Sequence, residues 1–249
     1  KRMCFVTTSP LIVNFFLVPH LLYLRNRYSV SLVVNLDEEV ELKPLPGIEV
    51  ISVPILRKIS LFQDLRTLAA LTTLLRKQRF DLVHSFSPKA GLLASMAGSL
   101  AHTPFRIHTF TGQVWATKTG PMRTLLKWAD RTVATLATQL LADSLSQRDL
   151  LESLGVVPYG KCQVLGAGSV TGVDLQRFRP DGDQRAEVRR ELGIPVDAVV
   201  VLFLGRITGE KGVPELLQAF HALSGQHPRT HLLFVGPDEE GLLKRRAGP

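Results

Sequence analysis

Cysteine is scarce. Only Cys4 and Cys162 occur in 249 residues, each within an apolar stretch. They read as buried thiols of a protein kept in a reducing, cytoplasmic setting, not as a disulfide framework or a metal site. Long apolar runs are missing as well: nothing approaches the roughly 20 residues that span a bilayer. The apolar start after Lys1-Arg2 is broken by Thr7, Thr8, Ser9, Pro10 and Asn14, then by Pro19 and His20. That pattern fits a strand and a helix better than a signal peptide. There is no Walker-type Gly-Lys-Ser/Thr loop, which argues against a P-loop phosphotransferase. Short-period repeats and low-complexity tracts are absent too, so the chain is neither a solenoid nor a linker.

What is present suits a globular protein. Hydrophobic residues make up 45% and charged residues 21%, ordinary values, at a length that allows one large or two small domains. The charge is unevenly placed. Residues 1–165 hold 19 Lys and Arg against 11 Asp and Glu, which accounts for the whole net charge of +8; residues 166–249 hold 11 of each. A basic first part suggests anionic partners, either acidic lipid or phosphorylated substrates. Nucleic acid is not expected, because no nucleic-acid fold signature accompanies the charge.

Apolar runs and amphipathic stretches alternate along the chain. Residues 3–7, 31–35, 50–53, 81–85, 105–109, 140–144 and 161–165 read as strands. Helices are expected over 15–24, 61–77, 91–98, 121–136 and 147–154. In the second of these, Leu61, Leu65, Leu68, Leu71, Leu74 and Leu75 share a face. The alternation predicts an α/β domain with a doubly wound parallel sheet over residues 1–165. A connection over 166–197, rich in Gly, Asp and Arg, holds a short helix at 184–192. A second, partial α/β domain occupies 198–249.

That second domain opens with Val199-Val200-Val201-Leu202-Phe203-Leu204, which reads as a strand buried on both faces. Gly205 ends the strand, and a polar loop carries Arg206 and Lys211. A helix with Leu216, Leu217, Phe220 and Leu223 on one face follows, then the strand Leu232-Leu233-Phe234-Val235 before Gly236-Pro237. Such β-α-β units bind ligands at the carboxyl ends of their strands. Two cations there, beside a helix start, are well placed to hold a diphosphate. Solvated loop charges are the plain alternative.

The wording Gly205-Arg206-x-x-x-x-Lys211-Gly212 after a strand resembles the nucleotide-sugar site of the family-4 glycosyltransferases, which have two facing Rossmann-like domains, the GT-B fold. Three further stretches extend the resemblance. His84-Ser85-Phe86-Ser87-Pro88-Lys89-Ala90-Gly91 is similar to the family's strand-to-helix turn. Residues 166–180, through Val173-Asp174, Phe178 and Pro180, are similar to its interdomain segment, although the usual Asn is missing. His108-Thr109-Phe110-Thr111-Gly112-Gln113-Val114-Trp115 resembles the loop lining the acceptor side.

The resemblance implies a retaining enzyme that moves a sugar from a nucleotide-diphosphate-sugar donor to a saccharide or lipid-linked saccharide acceptor. It implies no metal and no covalent cofactor. The setting most often implied is bacterial polysaccharide or lipopolysaccharide assembly. Gly205, Arg206 and Lys211 would bind the donor, with the two cations stabilising the leaving diphosphate. Gly112 would lie in the acceptor-side loop. Many members carry a His before that Gly, placed to help position the reacting sugar, and Thr111 stands there in this chain. His108 lies three residues earlier, on the strand. His108 and Thr111 are therefore the candidates for the catalytic part. A hydrogen-bonded core histidine is the alternative reading of His108, and a lining role suits Thr111 better than acid–base work.

Other features are weighed against plain readings. Asp181-Gly182-Asp183 mimics a metal-binding Asp-x-Asp, but no apolar strand precedes it to aim the carboxylates, so a solvated turn is expected. Gly166-x-Gly168-x-x-x-Gly172 misses the dinucleotide spacing, and no helix is expected there. Arg123, Lys127 and Arg131 form a basic helix stripe, and Arg57, Lys58, Arg76, Lys77 and Arg79 add charge near the other long helix. The plain reading is a solvated face. The functional one is peripheral docking on an anionic inner membrane surface. Finally, the resemblance implies further β-α units carrying a pair of acidic residues eight apart, and the chain ends after one unit. A fragment or a truncated product with little transferase activity is expected. Two alternatives stay open: a non-catalytic binding half of a split enzyme, and a nucleotide-sugar epimerase.

Overall fold

The computed structural model describes residues 1–37, 40–56 and 58–243. Arg57 and the basic stretch at 244–246 lie outside the described residues. The chain forms two compact units, 1–173 and 174–249, so the division falls inside the stretch expected to connect the domains.

The first unit is organised on seven parallel strands: β1 (Arg2–Val6), β2 (Ser29–Val34), β3 (Glu49–Ser52), β4 (Leu82–Phe86), β5 (Phe105–Phe110), β6 (Gln139–Ala142) and β7 (Cys162–Val164). Their order in the sheet is β3-β2-β1-β4-β5-β6-β7. The chain steps outward from β1 to β3 on one side, then restarts beside β1 with β4 and steps outward on the other. The junction of β1 and β4 is therefore a topological switch point, where sheets of this kind leave a crevice beyond their carboxyl ends.

The helices are α1 (Pro10–Ile12), a π-helical stretch (Val13–Leu17), α2 (Val18–Leu24), α3 (Leu61–Gln78), α4 (Pro88–Leu100), α5 (Gly120–Leu136) and α6 (Leu145–Ser153). Successive side chains of a strand point to opposite faces, and β1 shows the result. Cys4 and Val6 pack with Leu71 and Leu75 of α3 and with Ala90, Leu93 and Ala94 of α4. Phe5 packs on the other side with Val13, Leu17 and Leu21. Cys4 and Cys162 are free, buried thiols, as their sequence context suggests.

Two local expectations change. The first helix starts at Pro10 rather than near Phe15. Ser9 caps it by accepting from the Leu11 amide at 3.2 Å, and Pro10 suits the first turn. Pro19 then falls in the first turn of α2, beyond the π-helical stretch. The leucine stripe of α3 is only half covered: Leu71 and Leu75 are core, whereas Leu61 and Leu65 are 79% and 67% exposed. Among the described residues, no helix is long and apolar enough to cross a membrane.

In the second unit, α7 (Gly182–Glu191) precedes β8 (Val199–Leu204), α8 (Val213–Ser224) and β9 (Thr230–Val235). Asp181 caps α7, accepting from the Asp183 and Gln184 amides at 3.1 and 3.0 Å. The acidic turn is a helix start. β8 and β9 pair in parallel. The expectation that β8 is buried on both faces fails here: Val199, Leu202 and Leu204 are 61%, 56% and 75% exposed. Six apolar residues make a strand that suits burial, but burial needs neighbours, and a two-stranded sheet with one crossing helix supplies few.

Candidate functional site

In the first unit, polar residues collect at the carboxyl ends of the strands. Beyond β1 come Thr7, Thr8 and Ser9, all buried. Beyond β4 comes Ser87, whose positive φ of 69° turns the chain into α4. The Thr8 and Ser87 hydroxyls lie 3.2 Å apart and join the two strand ends across the switch point. Beyond β5 come Thr111 and Gly112, and beyond β6 comes Asp143. Ile12, Phe16, Thr111, Asp143, Ser169 and Val170 line a cleft of about 340 Å³.

Thr111 thus opens onto a cleft, and Gly112 follows it with open space around its α-carbon. His108 is elsewhere. It is 1% exposed, and its Nδ1 lies 2.9 Å from the Ser85 hydroxyl of the neighbouring strand. Its ring meets Phe110 edge-on and lies under α4. A β-carbon added at Gly91 would come within 2.3 Å of the ring, so the small residues of α4 make room for this histidine. Burial pushes its pKa down to about 3, because the charged ring loses its water. His108 is neutral at physiological pH.

The loop after β5 is anchored through Trp115, which is 1% exposed. Its indole N–H donates to the Asp130 carboxylate of α5 at 2.7 Å, and the Lys127 ammonium sits 5.4 Å above its ring. Burial raises the Asp130 pKa to about 6, and the bond from Trp115 works in the opposite direction.

In the second unit, the β8 and β9 ends are pressed together backbone to backbone. A β-carbon on Gly236 would lie 1.9 Å from the Gly205 carbonyl oxygen, so no other residue fits there. The Gly205 amide donates to the Val235 carbonyl at 3.0 Å and the Ile207 amide to the Pro237 carbonyl at 2.9 Å. Buried Ile207 and Val213 pin the two sides of the loop. Lys211 ends a short 3-10 turn, Gly209–Lys211, just before α8. Arg206 pairs with Glu239 at 3.0 Å, both about half exposed. The Gly209 amide donates to the Glu240 carboxylate at 3.0 Å. Two carboxylates thus engage the Arg206 guanidinium and the Gly209 amide of this loop. The meeting of Glu239 and Glu240 with Arg206 and Gly209 follows from the β8–β9 pairing, and no local sequence pattern signals it.

The comparisons with known proteins bear on both units. A family model described as a glycosyl transferase 4-like domain matches residues 23–168, and one described as glycosyl transferases group 1 matches 184–248. The capsular polysaccharide biosynthesis glycosyltransferase CapM of Staphylococcus aureus is 30% identical over 184 residues, covering 74% of this chain and 48% of CapM. An Escherichia coli enzyme, UDP-Gal:alpha-D-GlcNAc-diphosphoundecaprenol alpha-1,3-galactosyltransferase, is 31% identical over 160 residues, covering 62% of this chain and 39% of that protein. The chain therefore spans about half, or less, of the length of these relatives. Among solved structures, HepE of Anabaena, in complex with UDP and glucose, superposes with a TM-score of 0.70 at 16% identity, covering 97% of this chain and 62% of HepE. The UDP-GlcNAc 2-epimerase of Neisseria meningitidis superposes at 0.62 with 15% identity, covering 98% and 68%. At such identities the likeness shows the fold alone, the GT-B type. The family models decide what the fold leaves open: the chain belongs to the glycosyltransferases with a 4-like domain.

Proposed function

We propose that the chain carries the acceptor-side domain and part of the donor-side domain of a retaining glycosyltransferase. The enzyme transfers a sugar from a nucleotide-diphosphate-sugar to a hydroxyl of a saccharide or lipid-linked saccharide, in bacterial polysaccharide or lipopolysaccharide assembly. The observation that carries the reading is the loop of residues 205–212: two cations beyond the carboxyl end of β8, on a backbone fixed by the Gly205–Gly236 contact. Arg206 and Lys211 would meet the diphosphate and stabilise the charge that grows on it as the glycosidic bond breaks. Gly205 lets the chain leave the strand sharply enough to present them. The sequence relatives, named as glycosyltransferases of capsular polysaccharide and of a diphosphoundecaprenol-linked sugar, support the choice of donor and acceptor class. The epimerase reading has a fold likeness behind it.

Thr111 and Gly112 would line the acceptor side. His108, buried and bonded to Ser85, would act from beneath that loop by fixing the end of β5. The protein would work on the cytoplasmic side of a membrane. The exposed apolar side of α5, with Met122, Leu125 and Trp128, supports peripheral docking there, while Arg123, Lys127 and Arg131 lie half-buried on another side of the same helix. Co-sedimentation with anionic vesicles, and much weaker co-sedimentation with neutral ones, is the expected outcome; equal binding to both removes the docking role.

The test of the central reading is a donor screen on the full-length protein. Arg206→Ala and Lys211→Ala should each lower kcat/KM by about 10- to 100-fold, the scale of a hydrogen bond to a charged group. Wild-type turnover with either variant would place the diphosphate elsewhere.

A further inference from the structure

Asp143 is a carboxylate held on a fixed backbone with nothing in its grip. Its amide donates to the Gln147 side-chain oxygen at 2.9 Å, and its carbonyl accepts from the Ser169 amide at 2.5 Å. Among the described residues, its carboxylate makes no hydrogen bond and no ion pair. The residue is only partly exposed and lines the cleft with Thr111. The carboxylate is therefore open to accept hydrogen bonds from a molecule that enters the cleft.

The rest of the cleft is built rather than incidental. The strap carrying Ser169 and Val170 passes so close to Asp143 that a β-carbon at Gly168 would lie 2.5 Å from the Asp143 carbonyl oxygen. The far end of the strap is tied down by His20, whose Nε2 lies 2.8 Å from the Val170 carbonyl. Ile12 and Phe16, from the first helical turns after β1, form an apolar wall opposite. An apolar wall with an aromatic ring, a hydroxyl and a carboxylate matches the two chemistries of a sugar: C–H faces that pack on apolar surface, and hydroxyls that donate to an oxygen anion. The same carboxylate repels a phosphate or diphosphate.

We propose that this cleft is a subsite for a neutral saccharide, in which Asp143 accepts a hydrogen bond from a sugar hydroxyl, Thr111 bonds a second hydroxyl, and Phe16 packs on the ring. The inference rests on the reading that the first unit takes the acceptor, and it adds the acceptor's character at this point: an uncharged sugar ring. Asp143 is a binding residue, and no proton transfer is assigned to it.

The experiment is a titration of the isotope-labelled 249-residue chain, followed by amide chemical shifts. The probes are the methyl α-glycosides of glucose, galactose and N-acetylglucosamine at millimolar concentration, with UDP as the anionic contrast. The expected result is that at least one glycoside shifts the amides of Thr111, Ser144 and Ser169, while UDP leaves them unmoved. Asp143→Ala should weaken that glycoside about tenfold, the scale of a hydrogen bond to a charged acceptor, and Thr111→Val by a smaller factor. The Asp143 side chain makes no contact that the fold needs, and an unchanged spectrum of the free variant checks this. Shifts that appear elsewhere in the first unit leave the acceptor reading standing and overturn the subsite. Glycoside binding that Asp143→Ala leaves unchanged also overturns it. The absence of any glycoside shift in the first unit counts against both the subsite and the acceptor reading.

Discussion

β1 and β8 are built alike and live differently. Both are short apolar strands in parallel sheets, and each leads into a polar loop and a helix. In β1, Cys4 and Val6 are fully buried, because β2 and β4 flank the strand and helices cover both faces. In β8, Leu202 and Leu204 face solvent, because among the described residues β9 is its only partner strand. The same local chemistry thus gives a rigid core in one unit and an open sheet in the other. Local sequence decides that a strand forms, and the number of neighbours decides how much it contributes.

The largest test of that difference is truncation of matched leucines. Leu71→Ala, at a fully buried position, should destabilise the first unit by about 2–5 kcal/mol. Leu202→Ala should cost less than about 1 kcal/mol, because half of the side chain is already in water. Urea denaturation followed by circular dichroism separates the two. Comparable losses would mean that β8 is covered in solution.

Asp130 sharpens the contrast through pH. Its folded pKa of about 6 lies above its ordinary value, so the buried carboxylate costs stability when ionised, above about pH 6. That cost disappears as pH falls through 6 toward 4, and this group alone makes the fold more stable in that window. Asp130→Asn removes the charge and keeps an acceptor for Trp115. The variant should gain on the order of 2 kcal/mol over wild type at pH 8, with the gain vanishing by about pH 4. An advantage independent of pH would contradict the burial argument.

Gly91→Ala probes the fit between α4 and β5. Alanine favours a helix, yet its β-carbon would run into the ring of buried His108, which Ser85 holds by a hydrogen bond. A net loss of about 1–2 kcal/mol in thermal unfolding is expected, since overpacking outweighs the propensity gain. The smallest effect belongs to the second unit. Glu239→Gln should change stability by less than about 1 kcal/mol, because its pair with Arg206 is half exposed.

Much of the fold was legible from the residues. Seven strands and their helices follow from apolar periodicity, and the first unit bears them out. The first helix was misplaced because Ser9-Pro10 reads as a turn in isolation, yet the same pair caps a helix. The loop with Arg206 and Lys211 was legible because strand, turn and cations are adjacent in sequence. Asp143 was read as part of a strand, and Thr8 and Ser87 were not singled out. Their importance comes from strand order: β1 and β4 are neighbours although 75 residues separate their ends, and no local pattern encodes that adjacency. Glu239 was missed for the same reason.

The Gly205–Gly236 contact has a consequence for alignment. An open sheet with little buried surface specifies the pairing of its strands poorly, since a slip of one residue costs little burial. In β8 and β9 the slip is blocked at the end. Moving β9 by one position would bring Val235 or Pro237 against the Gly205 carbonyl, where even a single carbon cannot stand. The two glycines work as a notch and a tooth, setting the register of a sheet whose faces would otherwise leave it free to slide.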